Sequence, residues 1–277
     1  MAKLILEAGH AEKHYWTDLW RYRELFGILA WRDVVVRYKQ TVVGAAWALI
    51  QPLLNTIIMT VIFGRVAGLP SVGAAPYAIM VFAAILPWQF FANALSTSSQ
   101  SLVGNANLIS KIYFPRLIVP ASSMVVACVD FLISFLIMVG MMAWYQFWPD
   151  WRIVTLPFFM FIAIAAALGP GLIITALNVK YRDFRYVVPF IVQFGLYVSP
   201  VAFSSNVIRQ RLGESLYLIY SLNPMVGVID GFRWAILGGE SHVDRGSFCV
   251  SMFLVFCSLV IGVWYFRKTE KTFADII

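Results

Sequence analysis

The sequence predicts an all-α integral membrane protein with six membrane-spanning helices, and three observations carry that prediction. Stretches without a charged residue run from 40 to 64, 66 to 110, 153 to 179, 186 to 208 and 246 to 266, and 117 to 149 is interrupted only by Asp130. About 20 residues of helix at about 1.5 Å rise cross a hydrocarbon core of about 30 Å, so each stretch is long enough. Of 277 residues, 61% are hydrophobic and 13% charged, which leaves little chain for a water-soluble domain. The Lys and Arg that remain fall unevenly between the loops, and that asymmetry fixes an orientation.

The chain divides into a cytoplasmic N-terminal segment, 1–40, and a transmembrane domain, 41–277. The first 40 residues carry twelve charges and no long apolar run. No secretory signal is therefore expected, and the N-terminus is expected in the cytoplasm. Tyr15, Leu19, Tyr22, Phe26 and Leu29 recur at steps of four and three, which places them on one helical face, with Lys13, Thr17, Arg21 and Glu24 on the other. A basic, Trp-rich amphipathic helix directly ahead of a span is expected in the cytoplasmic interface plane. It either anchors the chain or shapes a lateral entrance for an amphiphile. Arg32, Arg37 and Lys39 stand where a lipid headgroup phosphate would arrive.

Spans are placed near 41–63, 77–99, 117–143, 154–178, 186–203 and 247–266, so both termini lie on one side. Segments 1–40, 100–116, 179–185 and 267–277 hold fifteen Lys and Arg, against six in 64–76, 144–153 and 204–246. The positive-inside rule makes the first set cytoplasmic. Trp144, Tyr145, Trp148 and Trp151 then form an external interfacial belt. Basic loops held against anionic lipid account for the net charge of +7, so nucleic acid is not the expected partner.

Residues 216–238 are apolar enough to suggest a seventh span, yet they contain Asn223-Pro224, Asp230 and Arg233, and a crossing there would carry Arg267, Lys268 and Lys271 outside. The segment 204–238 is read as re-entrant external helices between spans five and six, broken at Asn223-Pro224. Broken backbone at membrane depth needs protein or water around it, so the break is expected to line a cavity or pathway. A packed external cap is the alternative.

Within the spans, Gln51 and Asn55 share a helix face, and Pro52 between them invites a kink. Such side chains bind helices together or line water. Asp130 is the one ionisable residue deep in a span, at an insertion cost of roughly 2.5–3.5 kcal/mol. No Lys, Arg, His or second carboxylate lies within another span, which argues against a proton-coupled carrier. Asp130 is read as hydrogen-bonded within the bundle, with protonation as one option and a place facing a pathway as the lesser alternative. In the loop 101–120, Asn105 and Asn107 can cap a short helix from Leu108 to Tyr113 that Pro115 stops. Its Leu108, Ile109, Ile112, Tyr113 and Phe114 need cover, from a partner or from the N-terminal helix.

No GxxxxGK[ST] loop is present to cradle nucleotide phosphates, and there is no HExxH or DxD motif. His10, His14 and His242 lie outside the spans, and Cys128, Cys249 and Cys257 have no metal-ligand spacing. Nothing gathers titratable groups for general acid–base chemistry, so a transport role is expected before an enzymatic one.

Residues 29–64, 105–120 and 221–238, reading LAWRDVVVRYKQTVVGAAWALIQPLLNTIIMTVIFG, NANLISKIYFPRLIVP and SLNPMVGVIDGFRWAILG, resemble the ABC-2 type permeases that export bacterial polysaccharides, the Wzm-type O-antigen exporters above all. Capsule and teichoic acid permeases are similar too. The resemblance runs from about residue 20 to the C-terminus. It implies a homodimer in the bacterial inner membrane, joined to two copies of a separate ATPase subunit that binds ATP and Mg, with no cofactor in this chain. It also implies that Asn105, Leu108, Ile109, Lys111, Ile112, Tyr113 and Phe114 couple to the ATPase, with Arg116 beside them. Arg32, Asp33, Arg37, Tyr38, Lys39 and Gln40 would sit at the cytoplasmic entrance, and Asn223, Pro224, Asp230 and Arg233 would form the external gate. A polyprenyl-pyrophosphate-linked glycan would then place its phosphate near Arg32, Arg37 or Lys39 and pass its sugars along Trp47, Gln51, Asn55, Phe194 and Tyr197.

Overall fold

A computed structural model of the chain describes residues 15–39, 42–238, 241 and 243–273. Lys13, Gln40, His10, His14, His242 and the expected span start at 41 lie outside the described residues. Among these residues the regular elements are all helical. Among the described residues, five helices are long and apolar enough to cross a membrane: Ala46–Val66, Tyr77–Gly104, Ile118–Trp144, Trp151–Lys180 and Arg245–Thr272. The chain is thus an all-helical integral membrane protein.

Two helices precede the first of these, α1 (Tyr15–Arg21) and α2 (Arg23–Lys39). The stripe expected on one face is the buried face: Tyr15 and Leu29 are buried, with Leu19, Tyr22 and Phe26 packed beside them. Thr17, Arg21 and Glu24 are exposed. Trp16, Trp20 and Trp31 point outward at 57%, 73% and 71% exposure, a composition suited to a membrane interface. α2 lies along α6 (Ile118–Trp144) and carries its C-terminal turn to the middle of that helix, where Asp130 sits.

α3 (Val42–Met59) holds Pro52 internally, but the departure from α geometry comes later, in a π-helical stretch at Thr60–Val66. α4 (Tyr77–Gly104) is the central helix: 89% of its most apolar stretch is buried, against 22% for Ala46–Val66 and for Arg245–Thr272. Its Ser-rich C-terminal half lets α7 (Leu156–Lys180) approach closely. Thr175 Oγ1 donates to Ser98 O at 2.8 Å, Asn178 Nδ2 donates to Ser99 O at 2.9 Å, and Gly171 lies against Ser98. Small residues with polar contacts are how helices associate where lipid offers no hydrophobic gain.

α11 (Arg245–Thr269) crosses α7 backbone to backbone, and a Cβ built on Gly262 would stand 2.3 Å from Gly169 O. Gly262→Ala must therefore separate the helices. It is expected to lower stability by about 1–3 kcal/mol, visible as a lower melting midpoint of the detergent-purified protein. Gly140→Ala, with nothing within 4 Å of the new Cβ, is expected to leave the midpoint unchanged.

The span expected at 186–203 holds a shorter helix, α8 (Phe184–Val198), of 15 residues. Ser199 precedes Pro200 and takes an extended conformation, which stops the helix there. At about 1.5 Å per residue it falls short of a hydrocarbon core of about 30 Å. α9 (Ser205–Tyr220) and α10 (Pro224–Leu237) follow, broken at Asn223-Pro224 as expected. Gly213, at φ +82°, divides α9 in a way the sequence reading did not foresee. Between α4 and α6 the expected helix from Leu108 to Tyr113 is instead one turn, α5 (Ala106–Ile109), after which the chain turns through Ser110–Ile112.

Candidate functional site

Charge and polarity concentrate at three levels of the bundle. At the middle, Asp130 of α6 is 5% exposed and receives three donors. Arg37 Nη2 pairs with its Oδ2 at 2.7 Å, Asn93 Nδ2 of α4 donates to the same oxygen at 3.1 Å, and the Tyr38 hydroxyl donates to Oδ1. Burial, then the bond to Asp130 and its charge, push the Tyr38 phenol above the usual tyrosine range, so it stays a donor. The absence of a counter-charge in the other spans is thus made good by the helix ahead of the first span. Gln51, Gln89 and Ser134 line the same cleft, and the Gln89 Oε1 is buried without a hydrogen-bond partner among the described residues. The Arg37 side chain is 36% exposed, against 7% for Asp130.

Lys39 is exposed at the end of α2. Arg32 is committed elsewhere: it pairs with Asp33 at 2.7 Å and donates to Asn105 Oδ1 at 2.8 Å. The three basic residues expected together at an entrance therefore do not converge on one point. Arg32 instead ties α2 to the start of the α5 turn.

The second level is a collar at the end of the bundle that carries α5. Ile109 and Phe114 are buried against Tyr15, Leu29, Leu117, Phe266 and Phe273, with Leu108 partly covered. Lys111, Ile112 and Tyr113 remain exposed, Ile112 at 54% and Tyr113 at 45%. The segment thus divides into an anchor and a tip. The N-terminal helix supplies much of the cover. Arg116 donates to the Glu270 carbonyl, the Tyr15 hydroxyl donates to Glu270 Oε2 at 2.9 Å, and Arg267 lies over the Tyr15 ring at 4.4 Å. Burial, with Glu270 beside it, raises the Tyr15 phenol far above its ordinary range. Tyr15, Arg267 and Glu270 were missed because their meeting joins the two ends of the described chain.

At the opposite end, α10 is buried along almost its whole length. Asn223 caps it, its Oδ1 accepting from Met225 N at 3.0 Å, while Asn223 Nδ2 donates to Ser199 Oγ at 2.8 Å. Pro224 takes the first helical position, where a missing N–H is harmless. Arg233, 1% exposed, spreads its guanidinium over three carbonyls: Val201 and Phe203 at 2.8 Å and Met80 at 3.3 Å. Asp230, one turn earlier, accepts from Ser205 Oγ at 2.6 Å. These four residues lock α10 to α4 and to the α8–α9 connection.

Tyr186, Phe190, Phe194 and Tyr197 form a stripe along the outer face of α8, each at least 53% exposed, with Phe190 and Phe194 rings 4.1 Å apart. Only the last two were singled out from sequence; the four-four-three spacing was there to be read. Trp47 is 54% exposed, and Gln51 and Asn55 are half-buried on α3. Among the described residues, no His, Cys, Asp and Glu gather as a metal site.

Residues 24–237 match the family described as ABC-2 type transporter. The chain is similar to the O-antigen export system permease protein RfbA of Myxococcus xanthus, at 26% identity over 218 residues covering 78% of this chain and 81% of the relative. It is similar to the RfbA permease of Klebsiella pneumoniae at 26% identity over 258 residues, 92% and 95% of the two chains. The capsule polysaccharide export inner-membrane protein CtrC of Neisseria meningitidis serogroup B is 21% identical over 266 residues, 93% and 94% of the two chains.

Proposed function

This chain belongs to the ABC-2 type transporter family, and from that premise we propose that it is the permease subunit of an ATP-driven exporter carrying lipid-linked polysaccharide, O antigen in the first instance, across the bacterial inner membrane. The observation that carries this reading is similarity to O-antigen export permeases over 92% of the chain. Similarity to a capsule exporter over 93% keeps capsule as the second substrate.

In this reading α8 with residues 199–203 completes a sixth crossing, both termini are cytoplasmic, and α9 and α10 dip into the membrane from outside. Residues 1–40 form the N-terminal segment, which begins in the cytoplasmic interface and ends beside Asp130, and 41–277 the transmembrane domain. The permease works as a homodimer with two copies of a separate ATPase, which hold ATP and Mg. The tip Lys111–Tyr113 enters the ATPase cleft, while Asn105, Leu108, Ile109 and Phe114 fix it to the collar, so closure of the ATPase moves α1, α2 and α11 together. The carrier phosphate reaches Arg37 with Lys39 nearby. Sugars pass the aromatic stripe of α8, Trp47, Gln51 and Asn55, and leave where Asn223, Pro224, Asp230 and Arg233 hold α10.

Deleting the gene in its host tests the reading. Completed glycan trapped inside on its lipid carrier is the expected result. Truncated or absent glycan would point to synthesis and overturn it, and loss of capsule with intact O antigen would select the second substrate.

A further inference from the structure

α11 turns an apolar stripe outward. Phe253, Phe256, Val260 and Trp264 recur at steps of three, four and four, and all four are exposed. At about 1.5 Å per residue the stripe runs for about 16 Å, close to one leaflet of a hydrocarbon core of about 30 Å. Lys268, one turn further on the same face, ends the stripe with a cation, its Nζ 5.1 Å from the centre of the Trp264 ring. Arg267 stands beside it, 4.4 Å from the Tyr15 ring and 5.8 Å from that of Trp16, so cations and aromatic faces close the seam between α11 and α1. Neither cation forms an ion pair among the described residues. Glu270, the carboxylate one turn on, accepts from the Tyr15 hydroxyl at 2.9 Å. Phe266 and Phe273, packed with Ile109 and Phe114, set this seam at the end of the bundle that carries α5.

We infer that the seam between α1 and α11 is a binding site for an anionic phospholipid, whose phosphate is held by Arg267 and Lys268 and whose acyl chain lies along Phe253, Phe256, Val260 and Trp264. The occupant follows from the shape and charge of the patch. An apolar face one leaflet long that ends in two cations matches a molecule with chains of that length and an anionic head. A zwitterionic lipid brings an ammonium group that the same cations repel, and a soluble anion leaves the stripe uncovered. Tryptophan suits the headgroup level, where Trp16 and Trp264 flank the cations. Arg267 already lies against two rings, so its planar guanidinium loses little freedom when a phosphate arrives. The bound lipid bridges α1 and α11 and thereby stiffens the collar that anchors α5. This site does not depend on what the protein exports.

The test is native mass spectrometry of the detergent-purified full-length chain, titrated with phosphatidylglycerol, with phosphatidylcholine, and with glycerol phosphate as the headgroup without chains. Phosphatidylglycerol is expected to bind at least about tenfold more tightly than the other two and to raise the melting midpoint. Arg267→Gln with Lys268→Gln is expected to lower the phosphatidylglycerol affinity at least about tenfold, and Lys268→Gln alone, at an exposed position, about fivefold. Arg182→Gln with Arg185→Gln removes the same charge from two other exposed residues and is expected to leave that affinity unchanged. Unchanged affinity in Lys268→Gln and in the Arg267, Lys268 pair would overturn the site. Equal loss in the Arg182, Arg185 pair would reduce the effect to net charge and overturn it too. Equal binding of phosphatidylcholine would mean an apolar face without anion recognition, and equal binding of glycerol phosphate a soluble anion site, and either would reject the phospholipid assignment.

Discussion

Arg233→Met is expected to prevent recovery of a folded permease. The methionine fills much of the space but donates nothing, so the carbonyls of Met80, Val201 and Phe203 lose their partner together. Each buried acceptor left unsatisfied costs about 1–3 kcal/mol, which makes the combined loss comparable with a domain's whole net stability of about 5–15 kcal/mol. Asp230, buried one turn away, also loses the nearest positive charge on its helix. Pairing the change with Asp230→Asn is therefore expected to restore part of the yield, because the uncompensated carboxylate is gone while the carbonyls remain bare. Monodisperse protein on size-exclusion chromatography reads the outcome. A well-behaved Arg233→Met single variant would mean that the guanidinium serves the pathway and not the packing of α10.

The second large effect is functional and leaves the fold alone. Ile112→Asp with Tyr113→Asp alters two exposed side chains, so the stability should stay within about 0.5 kcal/mol of wild type. Replacing the two side chains removes contacts of the kind worth about 2 kcal/mol or more at an interface centre. Co-purification of the ATPase with tagged permease should then fall more than about tenfold and export should stop. Ile109→Asp is the contrast, because it charges a residue buried in the collar and is expected to fail by unfolding. Intact export in the double aspartate variant would reject the tip as the coupling element.

What the sequence made legible follows the two periods a membrane helix obeys. Bilayer thickness set the long windows, and α3, α4, α6, α7 and α11 fill them within a few residues. Helical periodicity set the buried face of α1 and α2, down to Tyr15 and Leu29. The break at Asn223-Pro224 was readable because an amide cap and a proline both favour a helix start.

The misses have local and non-local causes. Charge-free length could not detect that Ser199-Pro200 ends α8 early, since both residues are uncharged. The helix expected from Leu108 to Tyr113 was extended too far because its apolar residues serve two surfaces, an anchor and a tip. The Asp130 cluster was beyond any spacing argument, Tyr38 and Asp130 lying 92 positions apart. A lone carboxylate in one span and an arginine just ahead of another were nonetheless the obvious charges to bring together. Gln51 shares their cleft, which pattern alone placed only on a helix face with Asn55.

The enclosure of α4 has a consequence for biogenesis. A helix with almost no lipid-facing surface emerges from the ribosome before α6, α7 and α10, the helices that enclose it. Until they follow, its serine-rich half must wait in lipid or beside the insertion machinery. The guanidinium that closes the ring on Met80 arrives 153 residues later. The enclosure of α4 is therefore complete only once α10 has emerged, and chains truncated before α10 are expected to be less stable than the full-length protein.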